Sequence, residues 1–473
     1  MKQESDIGIV GLGVMGRNFM LNLAGHGFNV AGFDIDPQKV NLKDNYSRIH
    51  TTGNIEEFTA MLRRPRAVML LVPAGKPVDA AIAGLVNHLQ PGDVLIDAGN
   101  SYFRDTDRRI EELAPRDILF MGTGMSGGEE GARNGPSIMP GGNEKAWERV
   151  RPLFEAAAAK VNNIPCVSLL GAGSSGHFVK MVHNGIEYAI MQLLAETYDM
   201  MKRGLGFSDE RLHDVYEEWN NTEVSSYLVG ITADIFTVAD ENGGEMLVNK
   251  ILDVARQKGT GMWTSQSAME LQVPVPSIDA AVMMRNLSVF KKERQQLGKI
   301  YGKNSVHNDA DDLLPKLKNA LYTGMIITYA QGLALLSVAS EKYGYGLNLK
   351  EVSRVWKGGC IIRSALLNDI SDAFSNKADL ASILQDKDIS QKIKNYSPDL
   401  REVASQAALM KIPAPCMMAS LAYLDAFSSE WLPANLVQAQ RDYFGAHTYE
   451  RVEEPGTFHT DWLKVKVHES IGH

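Results

Sequence analysis

Ile7-Gly8-Ile9-Val10-Gly11-Leu12-Gly13-Val14-Met15-Gly16 is the stretch from which the fold class can be read. A short apolar strand runs straight into the glycines. A helical apolar pattern then continues through Phe19, Met20, Leu23 and Ala24 to a break at 25–27. A second strand over 29–33 stops at Asp34. Alone, a GxGxxG is a weak signal. Set between a strand and a helix, with an acidic residue about twenty positions on, it reads as a dinucleotide-binding turn. The glycines permit the tight turn and a close backbone approach, and the helix N-terminus offers its free amides to a pyrophosphate. A plain strand–helix turn explains neither the three glycines nor Asp34.

Further along, 67–72 and 94–97 are near-continuous apolar strands, as a parallel sheet covered on both faces requires, and 117–121 is a further strand. Helical stretches follow around 78–87 and 104–113. The expectation is a doubly wound α/β sheet whose ligands lie outside the carboxyl ends of its strands. Those ends carry Pro73-Ala74-Gly75, Gly99-Asn100-Ser101 and Gly124-Met125-Ser126-Gly127-Gly128. Consecutive flexible amides at Ser126, Gly127 and Gly128 suit an anion. A Gly/Ser-rich break over 170–176 closes the domain, predicted as 1–176.

The next stretch, Lys180-Met-Val-His-Asn-Gly-Ile-Glu-Tyr188, sets Lys180, His183, Asn184, Glu187 and Tyr188 on one face of a helix. Met181, Val182, Ile186, Ala189 and Ile190 form the opposite, apolar face. A solvated stripe repeats Glu and Lys; this one holds a base, an acid, an imidazole, an amide and a phenol. It reads as the wall of a polar cavity. Long helices follow, expected to form a domain over 177–433, with a loose repeat at an offset of about 138 residues. The stretch 180–192, Gly204-Leu-Gly206 and Trp219 have approximate counterparts in 318–331, Gly344-Tyr-Gly346 and Trp356, but the second copy lacks the polar face: Lys180, His183 and Glu187 have no convincing equivalents there. Between them, Gln257-Lys258-Gly259-Thr260-Gly261 suits a phosphate, though a lone Lys-Gly turn is usually only a turn. A tail over 434–473 carries Arg441 and His447.

The 473-residue chain has a net charge of −9 and a pI near 5.7, which argues against nucleic acid or an anionic membrane as partner. Three scattered cysteines exclude a disulfide framework and a cysteine-rich metal site. No signal-peptide core is visible, and no apolar run approaches the roughly 18 residues of a membrane span. A cytoplasmic protein is expected.

These residues carry a resemblance. Gly-Leu-Gly-Val-Met-Gly is shared with the β-hydroxyacid dehydrogenase superfamily. More specific are Met125-Ser-Gly-Gly-Glu-Glu-Gly-Ala132, His177-Phe-Val-Lys-Met-Val-His-Asn-Gly-Ile-Glu-Tyr188, Lys258-Gly-Thr-Gly-Met-Trp263 and Arg441-Asp-Tyr-Phe-Gly-Ala-His-Thr-Tyr449. Over 6–462 the chain resembles the long-chain 6-phosphogluconate dehydrogenases. The resemblance implies a Rossmann domain, a large helical domain, and a tail reaching the partner subunit of a homodimer with shared active sites. It also implies metal-free oxidative decarboxylation of 6-phosphogluconate to ribulose 5-phosphate, in the pentose phosphate pathway and gluconate utilization. Lys180 matches the general base and Glu187 the acid. Asn100, Ser126, Gly127, Gly128, His183 and Asn184 match the positions that hold the sugar carboxylate and hydroxyls. Tyr188, Lys258, Thr260, Arg285, Arg441 and His447 match the phosphate end. Gly11, Gly13, Val14, Met15, Gly16, Asp34, Ile35, Asp36, Val72, Ala74 and Asn100 are the expected cofactor contacts.

Three departures stand out. NADP-dependent members end the second strand with Asn-Arg-Thr; here Asp34-Ile35-Asp36 stands in that place, which predicts NAD over NADP. Arg256 occupies a position where the family has a small residue, and the segment after Trp462 lacks the Gly-rich ending. Two other readings remain. A related β-hydroxyacid dehydrogenase acting on another acid needs none of Lys258, Arg285 or Arg441. A catalytically silent nucleotide-binding module has no use for Lys180 and Glu187 on one helical face.

Overall fold

A computed structural model describes residues 4–41, 46–241, 243–302 and 310–463. Seven strands form one sheet: β1 Ile7–Val10, β2 Val30–Phe33, β3 Ile49–Thr52, β4 Ala67–Leu70, β5 Val94–Asp97, β6 Leu119–Ser126 and β7 Ser137–Gly142. Their order is β3-β2-β1-β4-β5-β6-β7, parallel throughout except for the antiparallel β6–β7 pair. This is the expected doubly wound sheet, with the strand order reversing beside β1 at the ligand crevice. All residues of β1, β2, β4 and β5 are buried, which is why they read as unbroken apolar runs.

Two details differ from expectation. Strand β3 was not foreseen, because Ile49-His-Thr-Thr52 is an edge strand with His50 exposed and lacks the apolar run of its neighbours. The strand expected to end at 121 continues to Ser126, because β7 pairs with it from Met121 to Ser126. Ser126 is therefore held by the sheet rather than by a loose turn.

From Ser175 the chain becomes helical. The central helix, Ser175–Asp199, packs against β6 and β7 on one side and against a second long helix, Ala310–Tyr343, on another. Both faces of the central helix are buried: Met181, Val182 and Ile186 beside Lys180, His183 and Asn184. The repeat is visible as two units of long helix, Gly-x-Gly turn, shorter helix and buried Trp. The shorter helices are Asp209–Trp219 and Leu349–Val355, and Gly206, Gly344 and Gly346 all have positive φ. The apolar-run expectation needs a correction: Asp311–Tyr343 is long and apolar enough to cross a membrane by length and composition. Its apolar window is 83% buried inside the protein, so its hydrophobicity serves the core.

The chain divides into two compact units, one ending at Leu421 and one beginning at Ala422. Within the second, the helix Ala434–Gly445 presents Asp442, whose buried carboxylate gathers the chain from Thr448 to Trp462 around it. It accepts hydrogen bonds from the amides of Thr448 and Thr460 (3.0 Å each) and from Trp462 Nε1 (2.9 Å), and lies 2.8 Å from His459 Nδ1. Burial pushes this carboxyl up, but the donors outweigh it and hold the group well below its usual range. Residues 464–473, and with them most of the segment after Trp462, lie outside the described residues.

Candidate active site

A cleft of about 1050 Å³ runs along the carboxyl ends of the strands. Gly11, Gly13, Val14, Met15, Asp34, Ile35, Val72, Ala74 and Asn100 line it, all expected from the sequence; Lys39, Pro73, Met125, Lys258 and Trp263 also line it. Gly11 has φ +93°, and a Cβ there would meet the Leu71 carbonyl oxygen at 2.6 Å. A Cβ on Gly16 would sit 1.9 Å from the Gly11 carbonyl oxygen, so the turn closes only with glycine. The helix Val14–Gly25 begins with no side-chain cap, which leaves its first amides free for an anion. Volume, close backbone and free amides fit a dinucleotide.

Asp34 terminates β2 as expected, but its carboxylate is already engaged. Oδ2 accepts the Leu12 amide at 2.8 Å and Oδ1 accepts the Asp36 amide at 2.9 Å, so the carboxylate is locked against the glycine turn. Ile35 is 88% exposed at the mouth of the cleft. Lys39 Nζ stands 3.9 Å from Asp34 and 3.7 Å from Asp36. Beneath the neighbouring loops, fully buried Arg109 reaches Asp97 (3.1 Å), Asp79 (2.8 Å) and the Gly75 carbonyl (3.2 Å), tying β5 to the Pro73–Gly75 turn. No sequence signal marks this residue: Arg109 sits in a run of charged residues that looks solvated.

Beyond the inner end of the cleft lies the polar face of the central helix. A Cβ on Gly124 of β6 would sit 2.4 Å from the Lys180 Cβ, so strand and helix approach closely enough to fix the lysine. Ser126 Oγ lies 3.2 Å from His183 Nε2 and accepts the Ile361 amide at 3.3 Å. His183 Nδ1 faces Asn184 Oδ1 at 3.0 Å, Lys180 Nζ at 3.4 Å and Glu187 at 3.8 Å. Burial and the neighbouring Lys180 hold His183 well below its ordinary value, so the imidazole is neutral. A neutral ring carries one N–H. With that proton on Nδ1 toward Asn184, Nε2 accepts the Ser126 hydroxyl.

Burial lowers Lys180 from the usual lysine range, while Glu187 pulls the other way. Burial raises Glu187, against Lys180 and Arg285. Both groups are thus pushed toward neutral forms. At the other end of the face the Arg285 guanidinium lies 3.3 Å above the Tyr188 ring centroid, and Gly261 abuts that ring. Gln257 Nε2 donates to Asn286 Oδ1 at 2.7 Å, so the Lys258 loop is tethered beside Arg285 while Lys258 faces the cleft. The structure therefore brings together Lys180, Ser126, His183, Asn184 and Glu187, and separately Tyr188 and Arg285, with Thr260 next in the chain to Gly261 against the Tyr188 ring. Arg441 and His447 belong to the second compact unit; Arg441 there donates to Gln438 at 3.0 Å. Among the described residues, no three His, Cys, Asp or Glu side chains are placed to hold a metal ion. Exposed Arg256 has no structural explanation.

Nothing in the sequence marks the segment 358–361 as part of the site. A Cβ on Gly127, whose φ is +121°, would meet the Gly359 carbonyl oxygen at 2.4 Å. The Trp356 ring stands edge-on to His183, with centroids 5.9 Å apart. The second copy of the repeat thus lacks the polar face yet braces the site of the first.

Fold and site together define a β-hydroxyacid dehydrogenase: a Rossmann sheet feeding a helix whose buried lysine packs on Gly124 of β6, next to Met125 of the cleft. Residues 6–171 match the NAD binding domain of 6-phosphogluconate dehydrogenase, and residues 176–462 match the C-terminal domain of the same enzyme. The chain belongs to the 6-phosphogluconate dehydrogenase family. It is 46% identical over 467 residues to the NADP(+)-dependent, decarboxylating 6-phosphogluconate dehydrogenase of Bacillus subtilis, covering 98% of this chain and all of that one. It is 47% identical to the decarboxylating enzyme of Schizosaccharomyces pombe, over 96% of this chain and 93% of that one. The Plasmodium falciparum 6-phosphogluconate dehydrogenase, solved in its apo form and with NADP+ or 6-phosphogluconate, superposes with a TM-score of 0.93. That match has 41% identity and covers 96% of this chain and 100% of that one.

Proposed function

We propose that this chain oxidatively decarboxylates 6-phosphogluconate to ribulose 5-phosphate and carbon dioxide, reducing a nicotinamide cofactor. The observation that carries the reading is Lys180, buried between β6 and a neutral His183, against the β6 residue next to Met125 of the cleft. Burial prepares this lysine to act as a base near neutral pH. The dinucleotide, when bound, supplies the acceptor for the hydride that leaves carbon 3. Lys180 takes the proton from the carbon 3 hydroxyl, which gives a 3-keto acid. As an ammonium, Lys180 then polarises that ketone while the carboxylate leaves as carbon dioxide. Glu187, its carboxyl pushed up from the ordinary glutamate range by burial, delivers a proton to carbon 1 of the enediol. Asn100, Ser126, Gly127, Gly128, His183 and Asn184 hold the carboxylate and hydroxyls. Tyr188, Lys258, Thr260 and Arg285 take the phosphate, with Arg441 and His447 supplied by the tail of a partner subunit. Arginine forks suit that anion better than a point charge.

The division of labour follows the chain: a dinucleotide-binding part over 1–176, a helical part over 177–433 and the tail over 434–473. NAD is the preferred cofactor. Support for this comes from the locked Asp34 carboxylate, which lines the cleft, and from neighbouring Asp36, whose amide Asp34 accepts; both charges oppose a 2′-phosphate. The names of the relatives point to NADP, and Lys39 is the cation in reach that would favour it. The enzyme belongs in the cytoplasm on this reading, consistent with three buried free cysteines. Incubation with 6-phosphogluconate and each dinucleotide tests the proposal: stoichiometric carbon dioxide and reduced cofactor are expected. Cofactor reduction without carbon dioxide release, or no reduction with either dinucleotide, would overturn it.

A further inference from the structure

The cleft has two ends. Asp34, Ile35 and Lys39 mark one, and the glycine turn occupies the middle. Ala98, Asn100, Met125, Lys258 and Trp263 mark the other, which adjoins Lys180 through β6. If the glycine turn takes the pyrophosphate, the nicotinamide falls at this second end. Its walls there come from two parts of the chain: Met125 from the sheet and Trp263 from the helix Thr260–Glu270.

Trp263 is half-buried and its position is fixed from outside the cleft. Its ring lies 5.0 Å from that of Tyr102, at 42°, and Tyr102 stands directly before the helix Phe103–Leu113, two residues after Asn100. A second tie joins the same two helices, an ion pair between Arg104 and Glu270. The indole also folds back over Gly259: with φ +105° there, a Cβ would stand 3.4 Å from the ring. One turn of chain therefore carries three things: Lys258 facing the cleft, the glycine beneath the indole, and Gly261 against Tyr188.

We propose that Trp263 contacts the nicotinamide end of the cofactor, and that the Tyr102–Trp263 ring contact is a positioning device linking the Asn100 loop to the Lys258–Gly259–Thr260 turn. This rests on the reading of the cleft as a dinucleotide site. Met125 and the Trp263 indole line the same cleft, so together they offer a nicotinamide ring apolar and aromatic surface. Because the same indole sets the Lys258 turn, a bound cofactor and a correctly placed substrate turn support one another. Tyr102 acts only through Trp263.

The test is a titration of NADH and of NADPH, read by the fluorescence of the reduced nicotinamide without 6-phosphogluconate present. It compares the wild type with Trp263→Phe, Trp263→Ala, Tyr102→Leu and the Trp263→Ala/Tyr102→Leu double variant. Trp263→Ala is expected to bind about tenfold more weakly, the scale of losing one aromatic stacking face. Trp263→Phe, which keeps an aromatic plane, should recover most of that loss. It also serves as the informative variant if the alanine form does not fold. Tyr102→Leu should weaken cofactor binding and raise the KM for 6-phosphogluconate at saturating cofactor, with kcat nearly unchanged. The double variant should bind no more weakly than Trp263→Ala alone. Binding by Trp263→Ala within twofold of wild type, or losses that simply add in the double variant, would overturn the proposal. A wild-type chain that binds neither dinucleotide would instead fail the reading on which it rests.

Discussion

Lys180 Nζ lies 3.4 Å from His183 Nδ1, and the two share one buried face of the central helix. Burial disfavours the cationic form of both, and the Lys180 charge disfavours that of His183 further. This stores instability in the site. The native Lys180 value lies below 10.5, so between that value and 10.5 the unfolded chain holds more protons than the native one, and stability rises with pH across this window. Below the window the native state bears the whole cost of a buried ammonium. Lys180→Met should therefore unfold at a higher temperature than wild type near neutral pH, by about 2 °C or more. The gap should narrow as pH climbs toward 10.5. Activity should fall by at least about 10²-fold. Equal or lower thermal stability at neutral pH would show that the lysine is not under this strain.

Glu187 holds Lys180 up electrostatically, against its burial. Glu187→Gln removes that attraction, so Lys180 should lose its proton at lower pH. The rising, acidic limb of kcat/KM for the oxidation step should shift to lower pH. Final protonation should slow, so that a 3-keto intermediate still forms and decarboxylates while turnover drops. A limb that stays in place or moves upward, or near-wild-type turnover, would contradict the assignment.

Much of this was readable in the residues themselves, for identifiable reasons. The strands β1, β4 and β5 announce themselves because two-sided burial demands unbroken apolar runs. The glycine turn does so because only glycine closes it. The polar face of the central helix was legible because helical periodicity gathers Lys180, His183, Asn184 and Glu187 whatever surrounds them. Its residue types mark it as a cavity wall rather than a solvated stripe, but periodicity cannot say which elements cover a face. The partners that come from far along the chain were therefore not foreseen: Ile361 on Ser126, Gly359 on Gly127, Trp356 on His183. Arg109 was illegible for the opposite reason, a charged residue in a charged helix that happens to point at Asp97.

Cofactor choice turns on Asp34-Ile35-Asp36. A unit-charge pair at 4 Å is worth on the order of 4 kcal/mol at an effective dielectric of 20, and solvent and Lys39 reduce it. A preference for NAD of at least about tenfold is expected. Asp34→Asn, Ile35→Arg and Asp36→Thr together should move the ratio toward NADP. The structure adds a cost: both Asp34 oxygens accept backbone amides, so an asparagine amide must present a donor to a donor. The triple variant should therefore lose about 1 kcal/mol of stability even as its preference shifts. A higher kcat/KM with NADP in the unmodified protein would refute the NAD reading.

Asp442 organises the second unit, accepting the Thr448, Thr460 and Trp462 donors beside His459. Its native value is lowered, so its contribution is present above 3.8 and is lost as pH falls below that. Asp442→Ala should loosen 446–462, seen as faster amide exchange and proteolysis there, while exchange in the helix Ser175–Asp199 stays as in wild type. Unchanged protection of 446–462 would show that the carboxylate does not hold the tail together.

The tail matters most if each site is built from two chains. Arg441 and His447 stand over 250 residues beyond Lys180 and fall in a separate compact unit, yet their chemistry suits the phosphate end of the substrate. Mixed dimers decide between a tail that serves its own chain and one that serves a partner. Lys180→Ala and Arg441→Ala should each be nearly inactive alone. With shared sites, a heterodimer of the two variants has one site carrying both lesions and one carrying neither. Co-expression should then restore activity, up to about half of a wild-type dimer per heterodimer. If the tail stays with its own chain, every site keeps one lesion and mixing restores nothing. Affinity tags of two kinds, one on each variant, isolate the heterodimer so that its activity is read directly. An isolated heterodimer as inactive as its parents would rule out the shared site.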